Sequence, residues 1–377
     1  MKVQLEVTTS CNLDCEYCFR RRNGFSDVTP DIVEKIADAD EIILYGYGEP
    51  LLNPNLKEYL RTINGKTLIS TNGMVNGIFD EVFEMVDRVA ISLDFDARHR
   101  RGLVFEKLKE KLDLAGEKAI TQIVVTSDNI NFLPELVRIS AESGADVQLT
   151  NVVAGDEEIY RKILYFEGSR FNVDMISDID DRFILSAIKD WSRGKGRFKE
   201  AYKNLIGKIY SHGYSVNIPY IVESRDRIRK ARHAEKIVED SMDIAREYGI
   251  DFERAEFFGD SRARECPYED MIFVRVDGKV SSCMSFAYTH QEFVNEHLKI
   301  VNEYVFADLK KDGIDDAFEN KLEFERLRKN MDDSFPWCAD CPYVSGCWYA
   351  KQNIDCYANK ISCSECLYSS RIARCVV

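Results

Sequence analysis

The chain has 377 residues, of which 45% are hydrophobic, 31% charged and 11% aromatic, and this composition excludes an intrinsically disordered protein. Its 51 basic and 65 acidic residues give a formal charge of −14, which argues against nucleic acid or anionic lipid as a partner. The length fits either one large α/β barrel or two to three domains.

The first residues lack the charged and apolar regions of a signal peptide, and no segment has the roughly 20 apolar residues of a membrane span. We therefore expect a cytoplasmic protein without a membrane partner. Thiols stay reduced in that compartment, so the 12 cysteines are better interpreted as metal or redox ligands than as disulfides. Three cysteines lie within residues 11–18 and nine within residues 266–375.

The first 155 residues alternate β-rich runs with amphipathic helical stretches, such as the one that begins at Thr29-Pro30. Repeated βα units predict an α/β fold with a parallel sheet, whose ligands bind at the carboxyl ends of the strands. The predicted strands are Val3–Thr8, Glu41–Tyr45, Lys66–Ser70, Arg88–Asp94, Ala119–Thr126 and Asp146–Val153.

The remaining sequence changes character twice. Residues 156–250 are charged and mainly helical, with a helix predicted at Ala231–Tyr248 and one further strand at Ser215–Val222. Residues 251–377 are rich in cysteine, which indicates a domain organised by metal. We expect three units: residues 1–155 as a barrel core, 156–250 as a helical extension, and 251–377 as an auxiliary domain.

Cys11, Cys15 and Cys18 follow the first predicted strand in a C-x3-C-x2-C pattern. Three thiolates on one loop can bind three irons of a [4Fe-4S] cluster and leave the fourth iron open. A zinc knuckle is the alternative, although no histidine or fourth cysteine lies near enough in sequence to complete a tetrahedral site.

This cysteine spacing resembles that of the radical S-adenosylmethionine (SAM) superfamily. Short motifs after the next strands are similar to motifs of the same family: Tyr47-Gly48-Glu49-Pro50 resembles its GGE motif, with Tyr47 in place of the first glycine, and Ser70-Thr71-Asn72-Gly73 resembles its S-T-N-G turn. Ser92 and Asp94 follow the fourth strand, and Tyr17 occupies the aromatic position near adenine.

The resemblance implies a partial (β/α)6 TIM-type barrel and catalytic cysteines Cys11, Cys15 and Cys18. It implies that SAM binds the open iron and is cleaved to methionine and a 5′-deoxyadenosyl radical, which abstracts hydrogen from the substrate. The implied SAM-binding residues are Tyr17, Gly48, Glu49, Ser70, Asn72, Ser92 and Asp94.

The C-terminal cysteines resemble the SPASM pattern, in which cysteines bind auxiliary iron-sulfur clusters. Cys266-x11-Gly278-x4-Cys283 resembles its opening, and Lys351 stands where a cysteine usually follows the C-x2-C-x5-C segment. Nine thiols can complete two [4Fe-4S] clusters with one to spare, or one complete cluster and one with an open site. The candidate ligands are Cys266, Cys283, Cys338, Cys341, Cys347, Cys356, Cys363, Cys366 and Cys375.

A zinc site is the alternative for part of this set, because Cys338-x2-Cys341 together with Cys363-x2-Cys366 has the spacing of a zinc ribbon. The number of additional cysteines argues against it.

The tail is similar to that of the radical SAM maturases associated with tungsten-pterin oxidoreductases. Asp355-Cys356-Tyr357-Ala358-Asn359 matches their D-C-W-G-N segment, with Tyr357 and Ala358 as replacements, and Tyr368 replaces a second tryptophan. This resemblance implies an anaerobic maturase that acts on a protein, peptide or cofactor precursor and takes electrons from a ferredoxin or flavodoxin.

Two other functions remain open at this point. One is a SPASM enzyme that modifies peptides, of the sulfatase-maturase or thioether-forming type. The other is an iron-sulfur electron carrier or metal scaffold without SAM chemistry.

Overall fold

The first six strands form the central part of a parallel sheet. The computed structural model describes residues 1–19, 26–75, 77–93, 102–334 and 337–375. All six predicted strands are confirmed, with ends that differ by a few residues: β1 Lys2–Leu5, β2 Glu41–Leu44, β3 Lys66–Thr71, β4 Arg88–Ser92, β5 Ala119–Val125 and β6 Asp146–Asn151.

These strands lie in sequence order and pair in parallel, with Val3 opposite Ile42 and Ile69 opposite Val89, for example. The later strands are β7 Phe166–Ser169, β8 Phe252–Glu253, β9 Phe258–Gly259, β10 Met271–Val274, β11 Lys279–Ser281, β12 His290–Val294, β13 His297–Val301 and β14 Val305–Asp308. Four of them extend the sheet at its two edges, so that the order is β14-β11-β10-β1-β2-β3-β4-β5-β6-β8. The others form two separate two-stranded sheets, in which β7 pairs with β9 and β12 with β13. The α/β prediction with a parallel sheet is therefore confirmed.

Helices connect the parallel strands and cover one face of the sheet. Among them α11 (Arg225–Tyr248) packs on α5 (Leu133–Glu142) and is followed by Gly249, whose φ of 74° suits glycine. The helices are α1 Pro30–Ile36, α2 Leu56–Thr62, α3 Phe79–Met85, α4 Gly102–Ala115, α5 Leu133–Glu142, α6 Glu157–Tyr160, α7 Arg170–Ile176, α8 Asp181–Ser192, α9 Lys199–Ser211, α10 Ile218–Glu223, α11 Arg225–Tyr248, α12 Ile314–Ser334 and α13 Trp348–Lys351.

The strand predicted at Ser215–Val222 is wrong, because α10 occupies most of that segment. The Asn217 side chain accepts a hydrogen bond from the Tyr220 N–H at 3.3 Å and caps the helix. Pro219 lies in the first turn, where its missing N–H costs nothing, whereas in a central strand it would remove a ladder bond. Capping and proline chemistry outweigh the apolar run.

The sheet has an apolar outer face and a more polar inner face. In β5 the buried residues Ala119, Thr121, Ile123 and Val125 alternate with partly exposed ones. Gln122 on the other face accepts a hydrogen bond from Ser70 Oγ at 2.7 Å. The polar side chains therefore converge on the interior of the sheet's curve. No helix in the part of the chain described here has the length and apolar character needed to cross a membrane.

The residues predicted as the auxiliary domain share the main sheet with the barrel core. Strand β10 pairs in parallel with β1 from Lys2 opposite Met271 to Leu5 opposite Val274, and β11 and β14 continue the sheet as antiparallel strands. At the other edge β8 pairs with β6. The predicted boundary at residue 250 thus falls between elements that the same sheet joins.

Candidate functional site

The cysteine loop lies at the carboxyl ends of the parallel strands. The Thr9 N–H donates to the Ser26 carbonyl at 2.9 Å, and the Cys18 N–H donates to the Cys15 carbonyl at 3.1 Å. Cys11, Cys15 and Cys18 line a cavity of about 220 Å³. Residues from the ends of five other strands complete its wall: Tyr45, Tyr47, Gly48, Glu49, Ser70, Thr71, Asn72, Ser92, Gln122, Val124, Thr150 and Asn151.

Gly48 lets the loop after β2 touch the loop after β1. A Cβ atom at this position would lie 2.0 Å from the Thr8 carbonyl oxygen and 2.8 Å from the Ser10 carbonyl oxygen. The next residue, Glu49, donates its N–H to the Ser10 carbonyl at 2.7 Å. Any side chain at position 48 would force apart the two loops that form the cavity wall.

Glu49 is buried and holds the loops after β2 and β3 together. Its Oε1 accepts hydrogen bonds from the Leu51 N–H at 3.1 Å and the Thr71 hydroxyl at 2.7 Å, and its Oε2 accepts from the Asn72 N–H at 2.7 Å. Burial raises the pKa of Glu49, and these three bonds oppose that rise. The structure therefore places Glu49 as an organiser of the cavity wall, and its contact with SAM stays a prediction.

Asn72 connects the third strand to the cysteine loop. Its Nδ2 donates to the Asn12 Oδ1 at 2.8 Å and lies 3.8 Å from the Cys11 Sγ, while its Oδ1 accepts from the Met74 N–H at 2.8 Å. The amide thus fixes the loop beside the thiol of Cys11.

The other predicted SAM-binding residues fall at or near the same cavity. Tyr17, Ser70 and Ser92 line it, and Ser70 is already bonded to Gln122. Asp94 lies outside the described residues. The structure therefore brings together six of the seven predicted residues.

Cys11, Cys15 and Cys18 offer three thiolates, the donor type that binds iron-sulfur clusters. Over the described ranges, no three His, Cys, Asp or Glu side chains converge on one point in the way that the ligands of a single metal ion do. In a [4Fe-4S] cluster each thiolate binds a different iron, so the ligands surround the cluster instead of a point. The loop's donor set and the space beside it could hold such a cluster at Cys11, Cys15 and Cys18.

Five of the nine C-terminal cysteines line a second, smaller cavity of about 50 Å³. Burial raises the pKa of the Cys283 thiol, and nearby Cys266, Cys366 and Cys375 raise it further. We call the five thiols that line this cavity the inner group: Cys266, Cys283, Cys363, Cys366 and Cys375.

The other four C-terminal cysteines form an outer group, which consists of Cys338, Cys341, Cys347 and Cys356. Burial raises the pKa of the Cys356 thiol, and Cys341 and Cys347 add to the rise. The Cys341 N–H donates to the Cys338 carbonyl at 2.9 Å. Burial raises the pKa of the Cys338 thiol, and Glu365, Cys341 and Cys356 add to the rise. The zinc-ribbon alternative would bring Cys363 and Cys366 together with Cys338 and Cys341. In the structure Cys363 and Cys366 instead line the cavity of the inner group.

The two groups and the first cavity adjoin one another. The Cys338 N–H donates to the Ser364 carbonyl at 3.2 Å, which joins the outer group to the Cys363–Cys366 loop. Val153, Met284 and Tyr368 line both the first cavity and the inner-group cavity. A single layer of side chains thus separates the SAM-site candidate from the inner group.

The chain's tail closes the sheet edge beside the first cavity. Asn151 Nδ2 donates to the Ile372 carbonyl and Gln148 Nε2 to the Cys375 carbonyl, both at 3.0 Å. The Arg374 N–H donates to the Thr150 hydroxyl at 2.8 Å. Polar side chains of β6 therefore position Cys375 in the inner group.

Sequence reasoning missed several cavity residues, among them Tyr45, Gln122, Met284 and Arg374. Gln122 could have been noticed in the sequence, since it is the one amide in a strand whose other residues, apart from Thr121, are apolar. No sequence pattern marks Met284 and Arg374, because they reach the cavity from segments far away in sequence.

Comparisons with known proteins agree with this geometry. The family model of the radical SAM superfamily matches residues 5–137, and that of an iron-sulfur cluster-binding domain, SPASM, matches residues 266–342. Together the two segments cover more than half of the chain. The first contains the loop of Cys11, Cys15 and Cys18, and the second contains part of both C-terminal cysteine groups.

Among curated relatives, a tungsten-containing aldehyde ferredoxin oxidoreductase cofactor-modifying protein of Pyrococcus furiosus is 26% identical over an alignment that covers 99% of this chain and 96% of the relative. A probable GTP 3′,8-cyclase of Pyrococcus horikoshii is 24% identical over 55% of this chain and 72% of the relative. Among solved structures, anSMEcpe with bound AdoMet aligns with 91% of this chain and 88% of its own at 15% identity, with a TM-score of 0.45.

The radical SAM domain implies SAM and a [4Fe-4S] cluster as cofactors, and the SPASM domain implies auxiliary iron-sulfur clusters. The chain is therefore a radical SAM enzyme that carries a SPASM domain.

Proposed function

We propose that this enzyme is a maturase that modifies a cofactor precursor, protein or peptide in the assembly of a tungsten-pterin oxidoreductase. The observation that carries the proposal is the alignment, over nearly the full length of both chains, with a relative named as a cofactor-modifying protein of such an oxidoreductase. The tail motifs around Asp355-Cys356 and Cys363-x2-Cys366 support it.

In this proposal Cys11, Cys15 and Cys18 hold the SAM-binding cluster. A [4Fe-4S] cluster with an open iron supplies the electron that cleaves SAM to methionine and a 5′-deoxyadenosyl radical. Asn72 keeps the Cys11 thiol in place, and Glu49 and Gly48 keep the surrounding loops in contact. These residues would hold the cluster beside the cavity that they line.

The substrate would enter the cavity from its open side and meet an apolar wall. Val152, Val153 and Met284 form this wall together with Tyr368. Such side chains exclude water from the reacting atoms, and water exclusion protects a reactive intermediate from side reactions.

The inner and outer cysteine groups would hold the auxiliary clusters. The outer group offers four thiols, enough to close one [4Fe-4S] cluster, and the inner group offers five, enough for a second with one thiol to spare. An external one-electron donor such as a ferredoxin or flavodoxin would supply the electrons.

The proposed substrate class is tested with anaerobically reconstituted protein, SAM and dithionite. We expect tungsten-pterin cofactor precursor, free or bound to the apo-oxidoreductase, to raise 5′-deoxyadenosine formation above the rate without substrate. A deuterium label in the precursor should appear in 5′-deoxyadenosine. Stimulation by small separate peptides alone would instead support the peptide-modifying alternative and contradict the tungsten assignment.

A further inference from the structure

Four aromatic side chains are exposed around the outer cysteine group. Their exposed fractions are 80% for Tyr343, 62% for Trp348, 43% for Tyr349 and 66% for Tyr357. The rings of Trp348 and Tyr349 contact each other at a centroid distance of 5.6 Å. We call these four residues the aromatic rim.

The rim residues stand next to the thiols in the chain. Trp348 directly follows Cys347, and Tyr357 directly follows Cys356. The Ile354 N–H donates to the Tyr349 carbonyl at 2.9 Å, which ties the start of the Cys356 loop to the helix that carries Trp348 and Tyr349. The aromatic neighbours of these thiols are thereby brought to one region. Cys356 is itself exposed.

The exposed charges of residues 341–360, which contain the aromatic rim, are positive, whereas the chain as a whole is negative. The chain carries a formal charge of −14. Within residues 341–360, Lys351 and Lys360 are exposed, and the one acidic residue, Asp355, is buried. Its carboxylate accepts hydrogen bonds from the N–H groups of Tyr357 and Asn359 at 2.8 and 3.0 Å, so it shapes the loop instead of facing solvent.

Exposed Trp and Tyr side chains that lie together mark interaction surfaces, whose centres are enriched in these residues. Two exposed lysines on an otherwise acidic protein favour an acidic partner and direct it to this place. The rim surrounds thiols that our proposed function assigns to an auxiliary cluster. A partner that docks here would therefore lie beside the thiols of Cys347 and Cys356.

We propose that the aromatic rim, with Lys351 and Lys360, is the docking surface for an acidic protein that carries one electron at a time. This inference rests on the proposed assignment of the outer group as a cluster site. Electron-transfer encounters use small interfaces and bind weakly, and a surface of four aromatic residues and two lysines suits such an encounter. Electrons would enter at the outer group and reach the inner group through the Cys338 to Ser364 connection.

The test uses the reconstituted holoenzyme and an acidic ferredoxin as the probe, with binding measured by anaerobic calorimetry. We expect Trp348→Ala combined with Tyr357→Ala to weaken binding by about tenfold. Lys351→Glu combined with Lys360→Glu should weaken binding as well and reduce its salt dependence. Trp191→Ala is the matched control, because Trp191 on α8 is 46% exposed but distant in sequence from the rim, and its binding should equal that of the unchanged protein.

A second readout separates docking from chemistry. Rim variants should form 5′-deoxyadenosine at the unchanged rate with dithionite and at a reduced rate with reduced ferredoxin, while their iron content stays the same. Ferredoxin binding that is unaffected in both double variants would overturn the docking proposal. If dithionite produces no 5′-deoxyadenosine in the unchanged protein, the proposed function fails, and the binding measurement still decides the docking question.

Discussion

At the scale of single residues, the candidate site depends on the neighbouring residues Gly48 and Glu49, which have different structural roles. Gly48 permits contact between two loops because it has no side chain, and Glu49 joins two loops because its side chain accepts three hydrogen bonds. Both positions were predicted from the sequence through a resemblance. Only the structure shows that their first role is to build the wall behind the cysteine loop.

Gly48→Ala should prevent assembly of the SAM-binding cluster. The added Cβ would lie 2.0 Å from the Thr8 carbonyl oxygen, so the loops must separate and the Glu49 to Ser10 hydrogen bond is lost. We expect the variant to lose about four irons per chain together with SAM cleavage. Gly207→Ala is the control, since a Cβ at Gly207 in α9 meets no atom within 4 Å, and alanine there should stabilise the helix by about 1 kcal/mol.

Glu49→Gln should weaken SAM binding. Glutamine keeps the shape but offers one acceptor oxygen and a donor NH2, so one of the three donors around Glu49 loses its partner. Hydrogen bonds to a charged group contribute about 1.5–3 kcal/mol, which corresponds to roughly a ten- to hundredfold rise in the dissociation constant of SAM. Equilibrium dialysis measures this constant, and Glu58→Gln on the exposed face of α2 should leave it unchanged. An unchanged constant in Glu49→Gln would contradict the assigned role.

At the scale of elements, the strands were predictable and part of the cavity was not. Short β-rich runs that are apolar at least at alternate positions located all six parallel strands, because the face of a strand that helices cover must be apolar. Ser215–Val222 shows the limit of this reasoning, since a buried helix turn carries a similar apolar run. Met284 and Arg374 show a second limit, because their approach to the cavity depends on long-range packing that no local pattern records.

A buried ion pair joins several elements of the fold. Glu167 of β7 pairs with Arg227 of α11 and accepts hydrogen bonds from the hydroxyls of Tyr160 and Tyr220 at 2.8 and 2.9 Å. It also accepts the Asn295 N–H, in the turn between β12 and β13, at 3.2 Å. The pair therefore connects the helical extension to the cysteine-bearing region.

Arg227→Met should destabilise the protein strongly. It leaves the Glu167 carboxylate buried without its cation, and breaking a buried pair in this way costs about 3–5 kcal/mol. The free energy of unfolding from a urea titration measures the loss. Arg229→Met on the same helix removes an exposed pair with Asp226 and should cost no more than about 1 kcal/mol. Equal losses of unfolding free energy in the two variants would contradict the role assigned to the buried Glu167–Arg227 pair.

At the scale of the whole molecule, the cysteine groups follow one another from the barrel to the surface. The shared sheet fixes the C-terminal region against the barrel, since β10 pairs with β1 directly before the cysteine loop. Val153, Met284 and Tyr368 then separate the first cavity from the inner group, and the Cys338 to Ser364 hydrogen bond leads to the outer group. The sequence predicted three ligands for the first cluster and nine candidate ligands for one or two auxiliary clusters, whereas the division of the nine into two groups and the order of the groups in space required the fold.

Iron content tests this arrangement of three clusters. Anaerobically reconstituted protein should hold about 12 irons and 12 sulfides per chain. Replacing Cys338, Cys341 and Cys347 by alanine should lower the iron content to about 8 and leave SAM cleavage by dithionite intact, because the SAM-binding loop is separate from the outer group. Zinc in place of iron at the tail would contradict the auxiliary clusters without affecting the barrel site.

The central claim is that the loop of Cys11, Cys15 and Cys18 holds the cluster that cleaves SAM. Its most direct test is the amount of 5′-deoxyadenosine formed by anaerobic, iron-replete protein with SAM and dithionite, measured by chromatography. The account predicts 5′-deoxyadenosine from the unchanged chain and none from the variant with all three cysteines replaced by alanine, although this variant keeps about 8 irons. Failure of the iron-replete unchanged chain to form 5′-deoxyadenosine, or equal formation by the two proteins, would contradict it.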